Sequence, residues 1–419
     1  MQQKTLGVAT TVFALTCIAW LTLRPLGGPL PSGFDWCVIC GQSGGADFVD
    51  NVLLFIPLGL GLRLAGVRPW PAWFAAAGLS ASIETAQYWV ISGRDSALGD
   101  LLANSLGGAI GIALVEARRL LLTPSRRAAR RLAIAATIAV CALAAGIHWT
   151  LRPSLPTTQY WVQIASRLPQ FIPFNGAVLD PTVDGDPMRD GRLSLPTTTA
   201  LRTALLDGSA RIAATIVPVA QPNADEVSPI VAFFDARHDE ILVVGCVDSA
   251  LAMRVRTHAA DLRLQPPTLT AHGECTPGDT IRIAAELLPR SGGARLTAAT
   301  SAHTTVATPS TGLWTGWHLL VPDLGRFAAP MAGLITALWI AALSFPVAYW
   351  SARADGEGRP TWRTGLAAAL ALVAPLAIIP IAAGAELAPP SVWIFSAAAL
   401  VFGLIMGQLS MQYQPGPAA

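Results

Sequence analysis

Carboxylates, amides and one guanidinium recur at helical spacing inside runs that are otherwise apolar. Asp50-Asn51 opens one run, Glu84 and Gln87 sit three residues apart in the next, Arg94-Asp95 follows in a short loop, and Asp100 and Asn104 begin another. Residues three or four apart share a helix face, so Glu84 with Gln87, and Asp100 with Asn104, each put two polar groups on one side. An ionisable side chain at mid-bilayer costs about 2.5 to 3.5 kcal/mol on insertion scales and is seldom kept without a partner or a task. Facing carboxylates and amides can hold a polar ligand, a carboxylate can act as acid or base, and a guanidinium can hold an anion. The candidate ligand-binding residues are therefore Asn51, Glu84, Gln87, Arg94, Asp95, Asp100 and Asn104. The bland alternative is a packing network, with Arg94 at the rim compensating Glu84 and Asp100 capping its helix.

The elements that must position these groups follow from composition. Only 13% of the 419 residues are charged, 53% are hydrophobic and mean hydropathy is +0.50. A soluble chain carries roughly 25% charged residues, so this one belongs in a membrane. Apolar runs near the bilayer-spanning length of about 20 residues predict eight helices, at 5–23, 49–65, 71–91, 101–117, 132–149, 327–349, 365–385 and 392–409. Lys4 precedes the first run, yet no clean small-x-small cleavage site follows, which favours a retained helix over a signal peptide. The expected domains are a four-helix unit (1–122), a basic loop with a fifth helix (123–150), a soluble insert (151–322) and three C-terminal helices (323–419). On helical geometry Glu84 lies roughly 10 to 12 Å below the outer end of its helix and Asn104 roughly 6 Å below its own.

Arginine placement sets the expected orientation, because cytoplasmic loops carry the basic excess. Arg118, Arg119, Arg126, Arg127, Arg130 and Arg131 cluster in one connection, and alternation puts Lys4, Arg63, Arg68, Arg353, Arg359 and Arg363 on the same side. The opposite short connections hold Arg24 and Arg94. The expectation is a multi-pass protein of the bacterial inner membrane with both termini cytoplasmic and the insert periplasmic or extracellular. The net charge of +2 gives no reason to expect a nucleic-acid partner.

Four cysteines, Cys37, Cys40, Cys246 and Cys275, fall on the oxidising side and are disulfide candidates, whereas Cys17 and Cys141 lie within spans. Cys37 and Cys40 have redox or zinc spacing, but no second ligand pair completes a metal site, so a local disulfide is favoured and no metal or cofactor is expected. His148, His238, His258, His272, His303 and His318 show no ligand spacing, and no Walker loop, Gly-x-Ser-x-Gly elbow or His-Glu-x-x-His helix occurs. Trp314, Trp317 and His318 precede a predicted span and read as an interfacial anchor.

The polar residues resemble the VanZ-like family, whose pattern is an Asn followed by Phe-x-Pro-x-Gly, then Glu-x-x-Gln, then an Arg-Asp loop leading to Asp-x-x-x-Asn-x-x-Gly. Here these are Asn51, Phe55, Pro57, Gly59, Glu84, Gln87, Arg94, Asp95, Asp100, Asn104 and Gly107, over about residues 20–115. The resemblance implies a cell-envelope role, linked through the family's namesake to tolerance of the glycopeptide teicoplanin. Its expected partners are membrane lipids and a lipid-linked glycan or cell-wall saccharide. The additional helices and the insert depart from that family's pattern.

Within the insert, runs at 211–217, 230–234, 241–247, 251–255, 281–288 and 313–320 read as strands separated by turn chemistry, with no long helical period. The segments around Ile212, Phe233 and Met253 resemble a concanavalin-like or laminin-G-like jelly roll, which implies carbohydrate binding. The acidic loops at Asp235, His238, Asp239 and Glu240, and at Asp180, Asp184, Asp186 and Asp190, read as solvated turns rather than calcium sites. The fold class is thus membrane α-helical with an inserted all-β domain. Two functions follow: a binder of lipid-linked glycan, or an intramembrane enzyme acting on a polyprenyl-linked phosphate or glycan, with Glu84 as acid or base.

Overall fold

A computed structural model describes residues 2–26, 33–165, 172–219, 227–265, 267–271, 273–288, 293–308, 311–321, 329–355 and 362–412. His272 and Arg359 lie outside them. The first bundle comprises α1 (Gln2–Thr22), α2 (Gly44–Leu64), α3 (Pro69–Trp89) and α4 (Leu98–Glu116). A short α5 (Arg118–Leu122) leads to α6 (Arg126–Thr150), which packs with α9 (Ala329–Asp355), α10 (Trp362–Val373) and α12 (Pro390–Gln412) in a second bundle. A π turn at Ala374–Ile378 joins α10 to α11 (Ile379–Ala382).

Among the described residues, seven helices are long and apolar enough to cross a membrane. The eighth expected span, α3, has the length but not the hydropathy, because Ser80, Ser82, Glu84, Thr85 and Gln87 crowd its second half. A second difference lies in the basic connection. Ser125 caps α6 through the Ala128 N–H, so Arg126, Arg127, Arg130 and Arg131 occupy the first turns of a helix rather than a loop.

Glycine lets α2 and α4 lie side by side. A Cβ at Gly59 would meet the Gly108 carbonyl at 2.1 Å, and one at Gly107 would meet the Val52 carbonyl at 2.2 Å, so larger residues would force the helices apart. The two run parallel: Asn51 meets Asp100 at one end and Arg63 pairs with Glu116 at the other. α1 runs against α2, with Gly7 on Ala65, and α3 runs against α4, with Ser80 on Asn104. Tyr349 and Trp350 near the end of α9 donate to the Leu122 and Leu121 carbonyls, which ties the second bundle to the Glu116 end of the first.

The insert forms two six-stranded antiparallel sheets. Its strands are β1 (Trp161–Ile164), β2 (Ala177–Val183), β3 (Asp186–Pro187), β4 (Gly191–Arg192), β5 (Arg211–Val217), β6 (Ser228–Phe234), β7 (Glu240–Val247), β8 (Ala250–Val255), β9 (Thr268–Ala271), β10 (Ile281–Leu288), β11 (Gly293–Ala299) and β12 (Thr304–Ala307). One sheet runs β4-β1-β6-β7-β8-β9 and the other β12-β11-β10-β5-β2-β3. Ile212, Ile216, Phe233, Leu242, Met253, Ile283 and Leu296 fill the space between them. Cys246 in β7 is disulfide-bonded to Cys275 at a Cα separation of 6.0 Å, and Cys37 is bonded to Cys40.

Two sequence expectations for the insert fail. A helix, α7 (Leu195–Asp207), stands where none was expected; Ser194 caps its start and Gly208 at φ 68° ends it, and a single turn of helix, α8 (His258–Asp261), follows β8. The stretch expected as a strand at 313–320 is a 3₁₀ helix, Leu313–Leu319. Its Trp314 and Trp317 are buried, Trp317 donating to Thr336 on α9 while Trp339 of α9 donates back to the Leu313 carbonyl. The aromatic pair is packed between protein elements, while His318 beside it is exposed with its ring stacked on Trp317.

Candidate functional site

The antiparallel packing of α1 on α2 and of α3 on α4, with α2 parallel to α4, brings the end of α1, the start of α2, the end of α3 and the start of α4 to one end of the first bundle, and the polar residues gather there. Asn51 Nδ2 donates to Asp100 Oδ1 at 2.8 Å, joining α2 to α4. Asn104 Nδ2 donates to Ser80 Oγ at 3.0 Å, joining α4 to α3. Gln87 Nε2 donates to the Thr22 carbonyl at 3.0 Å, which fixes α3 to the end of α1. Glu84 is 5% exposed, and its Oε2 accepts the backbone N–H of Ala97 at 2.9 Å. The carboxylate therefore caps the start of α4, whose first N–H groups lack partners within the helix.

Arg94 does not compensate Glu84. Its Nη2 donates to the Leu21 carbonyl at 2.5 Å and its Nε to the Arg24 carbonyl, so it caps the C-terminal end of α1. Depth alone suggested the pairing; the loop turns the guanidinium toward α1 instead. Burial, and then the nearby charge of Arg24, lower the Arg94 pKa from its ordinary value, with Asp100 acting in the opposite sense. Asp95 is exposed at the rim.

A strap covers this end. The Asp35 N–H bonds the Ser96 carbonyl and the Leu98 N–H bonds Asp35 back, while a Cβ on Gly99 would strike the Val38 carbonyl at 2.1 Å. The disulfide of Cys37 and Cys40 closes the strap on itself. Asp35 with these two sulfurs is the only group of three potential ligand atoms close enough for a metal among the described residues, and both sulfurs are already bonded. The acidic loops of the insert serve backbone roles: Asp235 accepts from the Arg237 and Asp239 N–H groups, Asp184 from Arg211, and Asp190 from Ile164.

Two buried acceptors at the site, Gln87 Oε1 and Asn104 Oδ1, have no partner among the described residues. Ser80 and the Thr22 carbonyl are members that sequence reasoning missed. Ser80 carried a signal, since it precedes Glu84 by one turn on the same face; the Thr22 carbonyl carried none. Residues 11–121 match the sequence model of the VanZ/LLP1 family, a span that holds every one of these groups. This segment is a VanZ-like domain. No curated protein and no solved structure matches the chain.

The insert docks on the same end of the VanZ-like domain. The Arg263 carbonyl accepts the N–H groups of Gly45 and Ala46 at the start of α2, at 2.9 and 3.2 Å, and the Arg263 guanidinium bonds the Ile39 carbonyl of the strap.

Proposed function

We propose that this is a cell-envelope membrane protein whose VanZ-like domain binds the polar part of a lipid-linked glycan or peptidoglycan-related molecule, with the β-sandwich recognising or presenting its saccharide. In this reading the shared end of bundle and sandwich faces the periplasm or exterior, and both termini are cytoplasmic. The orientation rests on the arginines gathered at the Glu116 end. The observation that carries the reading is the Arg263 cap on α2: it docks the β-sandwich on the end of the bundle where the unpartnered acceptors are buried. Sugar hydroxyls suit such acceptors, because each can donate where Gln87 Oε1 and Asn104 Oδ1 accept. A link to glycopeptide tolerance follows from the same reading, since those drugs act on envelope precursors.

The experiment is mass spectrometry of lipids that co-purify with the intact protein, set beside Asn104→Ala. A polyprenyl-linked saccharide enriched over bulk phospholipid and lost in the variant supports binding at this cluster. Bulk phospholipid alone, in both proteins, refutes it.

A further inference from the structure

The VanZ-like cluster is acidic well beyond what its own cations balance. Asp47, Asp50, Glu84, Asp95 and Asp100 all lie at this end of the bundle, and among the described residues none of them is in an ion pair. Asp47 and Asp50, Asp47 and Asp100, and Asp100 and Glu84 are close enough for their charges to interact. The cations at this end are Arg24, Arg94 and Arg263, fewer than the five carboxylates; Arg94 is aimed at carbonyls of α1 and Arg263 at the Ile39 carbonyl of the strap. The N-terminal ends of α2 and α4 each offer only about half a positive charge, and the first N–H groups of α2 already bond Arg263.

The groups are also graded in depth. Asp47 is exposed, Asp50, Asn51 and Asp100 are half-buried, and Glu84 and Asn104 are buried at 5% and 1% exposure. One turn separates Asp100 from Asn104 on α4, and Glu84 from Gln87 on α3, so each unpartnered amide oxygen sits beside a carboxylate on the same helix face. The result is a set of acceptors graded from surface to interior: ionised carboxylates accept only, and one N–H of each of the Asn51, Gln87 and Asn104 amides is already bonded.

We infer that this cluster recognises a primary ammonium group, carried either by an amino sugar or by an aminated lipid headgroup. The inference rests on the cluster being a ligand site, and it narrows the ligand. A neutral hydroxyl answers the amide oxygens but leaves the charge; an ammonium brings three donors, no acceptor and the missing positive charge. The two sources share this chemistry and differ in whether a bilayer delivers it.

The test uses the full-length protein in phosphatidylglycerol nanodiscs, titrated with glucosamine and, separately, glucose. Phosphatidylethanolamine then replaces part of the phosphatidylglycerol, with retained lipid read by native mass spectrometry. The expected result is preference for the amine of about tenfold or more in at least one arm, the value of one charged hydrogen bond. Preference for glucosamine identifies the sugar source and preference for phosphatidylethanolamine the headgroup. Asp50→Asn should abolish that preference with melting in pure phosphatidylglycerol unchanged; Asp100→Asn should abolish it as well while lowering the melting temperature, because the Asn51 bond loses its charged acceptor, and should Asp100→Asn not fold, Asp50→Asn decides. Glucose equal to glucosamine, with phosphatidylethanolamine retained no better than phosphatidylglycerol, overturns the inference. If a polyprenyl-linked saccharide still co-purifies in that case, the glycan reading stands alone; if none does, both fall.

Discussion

The carbonyl oxygen of Arg263, at the edge of the sandwich, accepts the backbone N–H of Gly45 at 2.9 Å, so the first turn of α2 is capped by a residue more than two hundred positions away. Arg263 reaches this position through a left-handed backbone, φ 54°. Gly45 permits the approach: a Cβ there would lie 2.1 Å from the Leu262 carbonyl. Gly45→Ala should therefore push the sandwich off α2 and destabilise the protein by about 1 to 3 kcal/mol. Hydrogen exchange at Gly45 and Ala46 should quicken in parallel. Gly78, inside α3 with nothing near its Cβ position, is the control; Gly78→Ala should stabilise by up to about 1 kcal/mol. Equal effects at the two glycines would remove the steric argument.

A mutant cycle on Glu84 and Arg94 should be additive to within about 0.5 kcal/mol. Their partners differ, since Glu84 holds the Ala97 N–H and Arg94 holds the carbonyls of Leu21 and Arg24. Arg94→Ala alone should cost about 0.5 to 1.5 kcal/mol, as released helix-end carbonyls would. Coupling near 2 kcal/mol in unfolding of the detergent-solubilised protein would mean the guanidinium turns to Glu84 after all.

Why the helices were legible and parts of the site were not is visible at particular residues. Apolar run length sets a helix, and α2, α4, α6 and α12 each stand within six residues of their expected bounds at either end. The strands β5 and β10 run 211–217 and 281–288 as alternation predicts, because Ile212, Ile216, Ile281 and Ile283 all face one core. α7 escaped because Thr197, Thr198 and Thr199 read as strand formers, although Ser194, Pro196 and Gly208 are helix punctuation. In the 313–319 stretch, Trp314 and Trp317 recur at three residues, the 3₁₀ repeat, and both are buried. The direction of Arg94 was not legible at all: spacing fixes depth and face, but a loop side chain turns toward whichever carbonyls the tertiary fold leaves open.

Acid should loosen the joint between α6 and the sandwich. Asp261 lies there, accepting from Ser154 at 2.6 Å and pairing with Arg256 and His258, whose ring stacks on Trp149. Burial pushes its carboxyl up, but the Ser154 and His258 hydrogen bonds and the Arg256 charge outweigh this and hold it below the ordinary 3.8. A depressed pKa favours the fold while the group is ionised. The contribution is thus complete at neutral pH, begins to fade near 3.8 and is lost as pH falls through the lower folded value. In Asp261→Asn the melting temperature should fall less steeply below pH 4 than in wild type; parallel curves would show that the joint does not sense this proton.

Sidedness can be read by labelling single cysteines in a background with Cys17 and Cys141 replaced by serine. Gly185→Cys at a sandwich turn and Leu387→Cys, which is 55% exposed between α11 and α12, should react with an impermeant reagent in intact cells. Thr123→Cys, exposed between α5 and α6, should react only after lysis. Label at Thr123→Cys in intact cells would invert the orientation and place the sandwich in the cytoplasm.

The bond from Asn51 to Asp100 is the link between α2 and α4 at the mouth of the cluster, and it should behave as a coupled pair. At 2.8 Å and half-buried, it is a hydrogen bond to a charged acceptor, worth about 1.5 to 3 kcal/mol in such surroundings. Asn51→Ala removes the donor and leaves the carboxylate beside Asp47, whose charge it already feels. That variant should lose about 1 to 3 kcal/mol, and adding Asp100→Asn should recover part of the loss, because a neutral amide no longer needs the donor. Asn51→Asp should be worse than Asn51→Ala, since two carboxylates would then face each other across the helix pair. The cycle should give a coupling of about 0.5 to 3 kcal/mol in reversible unfolding of the detergent-solubilised protein. Asn51→Asp as stable as Asn51→Ala at neutral pH, together with additivity, would mean that the two helices are held by their glycines alone.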